Sequence, residues 1–245
     1  MFPGFAIAGV LPALVLMMIV DRADAKRPEP RWSVRRVALA GAISIIPAAI
    51  IELLLMKVGP RAGIAHAVYE GFIVAAVVEE TCKALCVRWF VWNRPEFDER
   101  TDGIVYGVRA GLGFAMVENV FYLLEAKSMV LLVVLFCARA ILAVPMHAIT
   151  GAFMGHAAAW KRFEGRGPGM LGGWVIAVLF HGTYDAALFD AKPYAEHGDY
   201  AVALALFLVP LFAVVGGGLA VLRMWRQALA ADDVASMRAA ALARA

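Results

Sequence analysis

The sequence predicts an all-α, polytopic membrane protein with about seven transmembrane helices, and three observations carry that prediction. Hydrophobic residues make up 62% of the 245 residues and charged residues only 18%, whereas a soluble globular domain has roughly 45–50% apolar and about 25% charged residues. The apolar residues form seven runs, each long enough for a helix to cross a hydrocarbon core ~30 Å thick. The basic residues between these runs are divided unequally between the two sides. Because a water-free core forces each segment to satisfy its own backbone groups, helices are the expected spanning structure.

Short connections separate the seven apolar runs. The runs cover residues 2–20, 37–56, 64–92, 104–124, 129–160, 170–189 and 200–222. The first run resembles a signal peptide, since a small-x-small sequence follows it at 23–25, but no Lys or Arg precedes it. We therefore expect a retained helix. Pro145 lies inside the fifth run, and because proline lacks a backbone N–H, we expect it to distort that helix.

The distribution of Lys and Arg predicts the orientation of the chain. Alternate connections, with the carboxyl-terminal tail, place sixteen basic residues on one side and four on the other. The positive-inside rule assigns the richer side to the cytoplasm. We therefore expect the amino terminus outside, the carboxyl terminus in the cytoplasm, and a multi-pass protein of the cell membrane.

The runs predict a single domain that is surrounded by lipid. We expect one transmembrane helical domain over 1–230, with a chemically distinctive core at about 64–190, and a helical cytoplasmic tail over 231–245. The formal net charge is only +3, and no nucleic-acid partner is expected. We detect no internal repeat, which argues against transporter folds built from repeated halves.

Runs two to six contain ionisable residues that a lipid-facing helix would not tolerate. If nine charged side chains faced lipid at mid-depth, they would cost on the order of 25 kcal/mol. The bundle must therefore turn them inward, pair them or hydrate them. The nine are Glu52, Glu70, Glu79, Glu80, Lys83, Arg109, Glu118, Arg139 and Asp185.

Six ionisable side chains from four runs fall at similar depth, which indicates one buried site. These six candidates are Glu79, Glu80, Glu118, His147, His181 and Asp185. Structure alone would not require such unlike groups from four helices at the same level.

Helical spacing adds supporting groups. Lys83 lies one turn after Glu79, so it can hold one carboxylate of the Glu79-Glu80 pair while the other points into a cavity. Asp185 lies one turn after His181 and can orient the imidazole.

Glu118 is followed by Asn119 and, four residues on, by Tyr122, whose amide and hydroxyl groups can bind a substrate carbonyl or stabilise an oxyanion. Arg139 is expected to neutralise one of the acids. His66 and His156 are expected to be packing or interfacial residues.

Four segments together resemble the PrsW family of intramembrane proteases, within the wider CAAX-protease and bacteriocin-immunity superfamily. The sequence EETCK at 79–83 looks like the family's EExxK signature, and FAMVEN at 114–119 resembles its FxxxEN segment. Met146-His147 followed by Gly151 is similar to the histidine helix, and HGTYD at 181–185 to the HGxxD-like segment. The segments occur in the family's order and cover roughly residues 70–190.

The resemblance implies a membrane-embedded peptidase that cleaves a membrane protein or peptide, and an anti-sigma factor is the substrate of characterised members. It also implies that the glutamate pair, the FxxxEN glutamate and the two histidines act in catalysis. Two mechanisms stay open. In the first, Glu118, His147 and His181 bind Zn²⁺, because two histidines and a carboxylate with an open position fit a catalytic zinc site. In the second, no metal is present, the glutamates activate water, and His147, His181 and Asn119 stabilise the tetrahedral intermediate. The sequence contains no HExxH motif, so a zincin-type site is excluded.

Non-enzymatic alternatives use the same polar core. Intramembrane Glu and His residues also form proton relays, so a proton-coupled transporter and an immunity or binding protein are the main rivals. A haem- or quinone-binding protein would use His147 and His181 but would leave the acids unexplained.

Overall fold

The computed structural model describes residues 7–244, and all regular structure in that range is helical. The all-α prediction is therefore confirmed. Seven helices follow one another, and residues 2–6 of the first predicted run lie outside the described residues. The helices are α1 (Leu11–Ala23, after a 3₁₀ turn at Ile7–Val10), α2 (Arg31–Leu55), α3 (63–90), α4 (Arg100–Leu124), α5 (Met129–Glu164), α6 (Gly169–Glu196) and α7 (Tyr200–Leu242).

Five of these helices, α2 and α4 to α7, are long and apolar enough to cross a membrane. The described part of α1 has 13 residues, and α3 is interrupted by a change of helical geometry. The seven helices match the seven predicted runs, as expected for a multi-pass membrane protein. The orientation of the bundle stays a prediction.

Two helices widen into π geometry just before residues of the predicted site. The π segment of α3 covers Tyr69–Val77 and precedes Glu79. That of α5 covers Arg139–Ala143 and is followed at once by Pro145. Since proline clashes with the carbonyl one turn earlier, a widened turn at this point relieves the helix. The predicted distortion at Pro145 thus takes the form of a π turn.

Helix α4 lies at the centre of the bundle because glycines let its neighbours approach closely. A Cβ added to Gly107 would lie 2.1 Å from the carbonyl oxygen of Gly151 on α5. On the face toward α2, a Cβ on Gly113 would lie 2.0 Å from the carbonyl oxygen of Ala38. The backbones themselves are therefore in contact on both faces of α4.

Helix α7 continues past residue 230, and its end is fastened to the start of α4. Asp232 is 2% exposed and accepts hydrogen bonds from the backbone N–H groups of Arg100 (3.0 Å) and Thr101 (3.1 Å). A helix N-terminus leaves such N–H groups without intrahelical partners, so Asp232 caps α4 from a distant part of the chain. The predicted domain boundary at 230 falls within this continuous helix and stays a prediction.

Replacing Asp232 by alanine is expected to lower the stability by about 2 kcal/mol, because buried N–H groups and the Arg100 guanidinium lose a charged acceptor. Thermal unfolding in detergent micelles measures the effect. Its neighbour Asp233 is the matched control, since it is 47% exposed and pairs with Arg27. Asp233→Ala should cost less than about 1 kcal/mol. Equal losses from the two variants would contradict the capping role.

The connection between α1 and α2 contains a second buried acid, Asp24, which is 5% exposed. Burial raises the pKa of Asp24 to about 7, aided by the nearby carboxylates of Glu29, Glu99 and Asp21, while a hydrogen bond from the Glu29 N–H opposes the shift. Because this folded pKa exceeds the unfolded value of 3.8, its stabilising effect is complete below about pH 4 and lost as the pH rises through 7.

The melting temperature is therefore expected to fall between pH 5 and pH 8, and Asp24→Asn should remove part of that fall and stabilise the protein at pH 8. The full effect of a pKa shift from 3.8 to about 7 is on the order of 4 kcal/mol. Melting curves at four pH values test this, with the exposed Asp199→Asn as the control. An unchanged pH slope in Asp24→Asn would refute the assignment.

Candidate active site

Four helices bring the predicted residues together in the middle of the bundle. Glu79, Glu80 and Lys83 lie on α3, Glu118 on α4, His147 on α5, and His181 with Asp185 on α6. Five of these side chains are almost completely buried, with exposed fractions between 0% and 5%. These five are Glu79, Glu80, Lys83, His147 and His181. The convergence that the sequence predicted is present in the structure.

Lys83 holds both carboxylates of the glutamate pair. Its Nζ lies 3.2 Å from Glu79 Oε2 and 2.8 Å from Glu80 Oε1. It also lies 2.7 Å from His147 Nδ1. A lysine ammonium only donates, so His147 Nδ1 is an acceptor and the proton of its neutral ring resides on Nε2.

The proton on His147 Nε2 has an acceptor in Glu118. His147 Nε2 lies 2.8 Å from Glu118 Oε2, and the same oxygen accepts a hydrogen bond of 2.6 Å from Arg139 Nη2. The expectation that Arg139 neutralises an acid is met by this ion pair. Glu118 thus orients the imidazole from the side opposite to Lys83.

His181 bridges two carboxylates. Its Nδ1 lies 2.7 Å from Glu80 Oε1, and its Nε2 lies 3.0 Å from Asp185 Oδ2. A proton on either nitrogen therefore meets an acceptor. The spacing of one turn from His181 to Asp185 orients the ring as the sequence predicted.

A cavity of about 460 Å³ opens beside this cluster and is lined by all four helices together with α2 and α7. Glu79 lies on its wall, whereas Glu80 and Lys83 do not. The prediction that Lys83 holds one carboxylate of the glutamate pair while the other faces the cavity is therefore modified. Lys83 contacts both carboxylates, and Glu79 is the one that reaches the cavity.

The cavity wall also contains residues that we did not assign to the site from the sequence. Glu52 and Glu70 line it, and so does Arg139, which is hydrogen-bonded to Glu118. The signal for Glu52 is its level in α2, which matches that of Glu118 in α4 because alternate helices of the bundle run in the same direction. Tyr184 lines the wall as well, beside Tyr122, whose hydroxyl the sequence had already suggested for substrate contact.

Asn119 is turned away from the cavity and is 1% exposed. Its Nδ2 donates to the carbonyl oxygen of Gly9 (3.1 Å), and its Oδ1 accepts from Arg139 Nε (2.5 Å). The amide that the sequence suggested for a substrate carbonyl is thus used to connect α4 to the start of the chain and to Arg139.

Four side chains present ligand atoms that lie within 4.8 Å of one another, namely Glu79, Glu80, His147 and His181. This grouping differs from the predicted zinc ligands, because Glu118 contacts the opposite ring nitrogen of His147 and stands outside the group. Imidazole nitrogens and carboxylate oxygens are ligands that Zn²⁺ accepts. Glu80 Oε2 is moreover buried without a hydrogen-bond partner among residues 7–244. The donor types present therefore fit a metal ion, which on binding would take the place of Lys83 at His147 Nδ1.

Gly111 positions His147 through direct backbone contact. A Cβ on Gly111 would lie 2.2 Å from the carbonyl oxygen of His147 and 3.0 Å from its carbonyl carbon. Neither backbone can move without separating α4 from α5, so the close approach depends on glycine at this position.

Gly111→Ala is expected to cost about 1–3 kcal/mol of stability and to lower activity more than tenfold by displacing His147. Melting temperature and cleavage rate measure the two effects. Gly216→Ala is the matched control, because its added Cβ meets nothing within 4 Å in α7, and this variant should gain about 0.5–1 kcal/mol. If Gly111→Ala behaves like Gly216→Ala, the positioning role is wrong.

Comparison with known proteins agrees with the residue pattern. A family model described as PrsW family intramembrane metalloprotease matches residues 29–215. Curated relatives named Protease PrsW are similar over most of their length. That of Clostridioides difficile (strain 630) is 32% identical over 184 residues, which cover 73% of this chain and 76% of the relative.

Two further relatives carry the same name. The protein of Geobacillus kaustophilus (strain HTA426) is 31% identical over 207 residues, which cover 84% of this chain and 86% of the relative. That of Bacillus subtilis (strain 168) is 32% identical over 184 residues, covering 74% and 81%. No solved structure matches the chain significantly.

Proposed function

The chain belongs to the PrsW family of intramembrane metalloproteases, and we propose that the cluster of Glu79, Glu80, His147 and His181 is its catalytic centre. The protein is a multi-pass membrane protease, and its substrate is a membrane-embedded protein. The observation that carries the proposal is that Glu79, His147 and His181 line the cavity, while Glu80 is held behind them by hydrogen bonds with Lys83 and His181. This membership favours peptide hydrolysis over the transporter and binding alternatives.

In the proposed reaction, Glu79 is the general base. It accepts a proton from a water molecule in the cavity while the water oxygen attacks the carbonyl carbon of the scissile peptide bond. The tetrahedral intermediate then collapses, the C–N bond breaks, and the proton passes from Glu79 to the leaving amine. Glu79 is suited to this shuttle because its Oε2 is held by Lys83 and its side chain borders the cavity.

A metal would be held by Glu80, His147 and His181, with Glu79 beside it. When bound, Zn²⁺ lowers the pKa of water and polarises a carbonyl group. The chain's own residues contribute the orientation. His147 is fixed between Lys83 and Glu118, and His181 between Glu80 and Asp185.

Membranes of a bacterial expression host that contain the wild-type protein or Glu80→Gln would test the proposal. Mass spectrometry of newly formed N-termini inside transmembrane segments should detect cleavage products that are absent with Glu80→Gln. An anti-sigma factor, the substrate class suggested by the family resemblance, would appear among the precursors if the host produces one. The exposed Glu196→Gln is the control and should leave the products unchanged. Full cleavage by Glu80→Gln would overturn the proposal.

Metal analysis of the purified protein separates the two mechanisms. The metal-dependent form predicts stoichiometric Zn²⁺ in the wild type, its loss in His147→Gln, and inhibition by a chelator. His156→Gln is the matched control on the same helix, since His156 does not line the cavity. Full activity of metal-free protein would favour activation of water by the glutamates alone.

A further inference from the structure

The proposed reaction needs a group that stabilises the oxyanion, and the cavity wall presents one guanidinium in addition to two histidines and two tyrosines. The amide of Asn119, which the sequence suggested for this role, is turned away from the cavity. Among the described residues that line the cavity there are six carboxylates but no lysine, and Arg139 is the single arginine. The guanidinium of Arg139 is therefore the permanent positive charge on the described wall that can offset the negative charge developing on a scissile carbonyl.

Three contacts fix the guanidinium of Arg139. Its Nε donates to Asn119 Oδ1 (2.5 Å), its Nη2 donates to Glu118 Oε2 (2.6 Å), and its Cζ lies 3.9 Å above the ring of Tyr122. Two hydrogen bonds and a stacked ring determine the plane of a guanidinium, so little reorganisation is needed when a substrate binds.

The third nitrogen, Nη1, is available. Nη1 makes no hydrogen bond with residues 7–244. It is also not one of the fully buried polar atoms in that range that lack a hydrogen-bond partner, which means that it is accessible. The side chain is 12% exposed and borders the cavity. A donor that is accessible and charged, in a site of low dielectric constant, is the kind of group that stabilises an oxyanion.

The location also fits the catalytic cluster. Arg139 Nη2 and His147 Nε2 bond the same oxygen of Glu118, and His147 Nδ1 lies 3.7 Å from Glu79 Oε2. The guanidinium is therefore separated from the general base by one carboxylate and one imidazole. Both groups also border the same cavity, so a scissile peptide bound there can direct its carbonyl oxygen toward Arg139 and its carbonyl carbon toward a water molecule that Glu79 would activate.

We propose that Arg139 is a further catalytic residue, whose Nη1 donates to the carbonyl oxygen of the scissile peptide bond and to the oxyanion formed from it. This inference rests on the proposed function. The alternative is that Arg139 only orients Glu118 and never touches the substrate.

The test uses a peptide that spans a cleavage site found in the membranes described above, made with the scissile carbonyl either as an ordinary amide or as a thioamide. A thioamide sulfur accepts hydrogen bonds more weakly than an amide oxygen. If Arg139 contacts this atom directly, the wild-type protein should therefore cleave the thioamide more slowly than the ordinary peptide. In Arg139→Gln we expect kcat on the ordinary peptide to fall by 10²–10³ with little change in KM, and the ratio of the ordinary to the thioamide rate to fall toward one.

Two further variants distinguish the loss of this contact from a loss of folding. Arg139→Lys keeps a positive charge beside Glu118 but cannot make all three contacts, and its rate ratio should lie between those of the wild type and Arg139→Gln. Arg109→Gln is the matched control, because Arg109 is also buried, at 6% exposed, and does not line the cavity. Its rate ratio should equal that of the wild type.

Each remaining outcome is decisive. An undiminished rate ratio in a slow Arg139→Gln or Arg139→Lys enzyme would show that the residue acts only through Glu118, which overturns the inference. Full activity of Arg139→Gln would overturn it too, and both results would leave the proposed catalytic centre intact. Cleavage that persists in Glu80→Gln would instead remove the proposed function and, with it, this inference.

Discussion

Glu79→Gln is expected to reduce kcat by 10²–10⁴, which is the range that a general base contributes, while the fold and the metal content stay unchanged. Glutamine has nearly the same shape and can still accept a hydrogen bond from Lys83, but it cannot take a proton from water. The reason to single out Glu79 is its place on the cavity wall, whereas Glu80 is 0% exposed behind it. Cleavage rates on the identified peptide, circular dichroism and metal analysis measure the three quantities.

The comparison with Glu80→Gln assigns separate roles to the two neighbours. Glu80→Gln should lose both cleavage and bound metal, because Glu80 Oε2 is the buried oxygen that lacks a partner among the described residues. The opposite pattern, with metal lost in Glu79→Gln and retained in Glu80→Gln, would exchange the two roles. Unimpaired kcat in Glu79→Gln would show that it is not the base.

The helices and the convergence of the site were predictable because they depend on simple physical costs. A run of some twenty apolar residues has few stable alternatives to a spanning helix. Charged groups at mid-depth must face inward, so side chains of similar depth, such as Glu79, His147 and His181, are brought together whatever the detailed packing. In the structure, ligand atoms of these three side chains and of Glu80 lie within 4.8 Å of one another.

The rotation of each helix about its axis was not predictable. The 3.6-residue period separates Glu79 and Glu80 by about 100°, but it does not determine which one faces the cavity. That depends on the phase of α3, and the π segment Tyr69–Val77 changes this phase immediately upstream. The same uncertainty applies to Asn119, whose amide faces Gly9 rather than the cavity.

Contacts between distant parts of the chain could not be predicted from the sequence either. The capping of α4 by Asp232 joins positions more than 130 residues apart, and no local sequence pattern indicates it. For Arg139 the sequence indicated a neutralising role, and the ion pair with Glu118 agrees with it. The unoccupied hydrogen-bonding position at Nη1 depends on which nitrogens are engaged, which only the three-dimensional arrangement determines.

Lys83 is the residue on which the electrostatic balance of the cluster depends most directly. It is 0% exposed, its Nζ contacts Glu79, Glu80 and His147, and it lies 4.8 Å from the centre of the Phe114 ring. Its positive charge compensates two carboxylates that water does not reach from that side. Removing one partner from such a buried group leaves the other charges uncompensated, which costs more than replacing all partners together.

Lys83→Met is therefore expected to lower the stability by about 3–5 kcal/mol and to abolish cleavage, because Glu79 and His147 lose the donor that orients them. The triple variant Lys83→Met, Glu79→Gln, Glu80→Gln should recover most of the lost stability while remaining inactive, since it removes the charges as a set. Melting temperatures of the two variants, with the exposed Lys192→Met as a control, measure the difference. If the triple variant is no more stable than Lys83→Met, the loss comes from packing around Phe114 and not from unbalanced charge. Recovery of stability without recovery of activity would show that the buried charges serve catalysis and lower the stability of the fold.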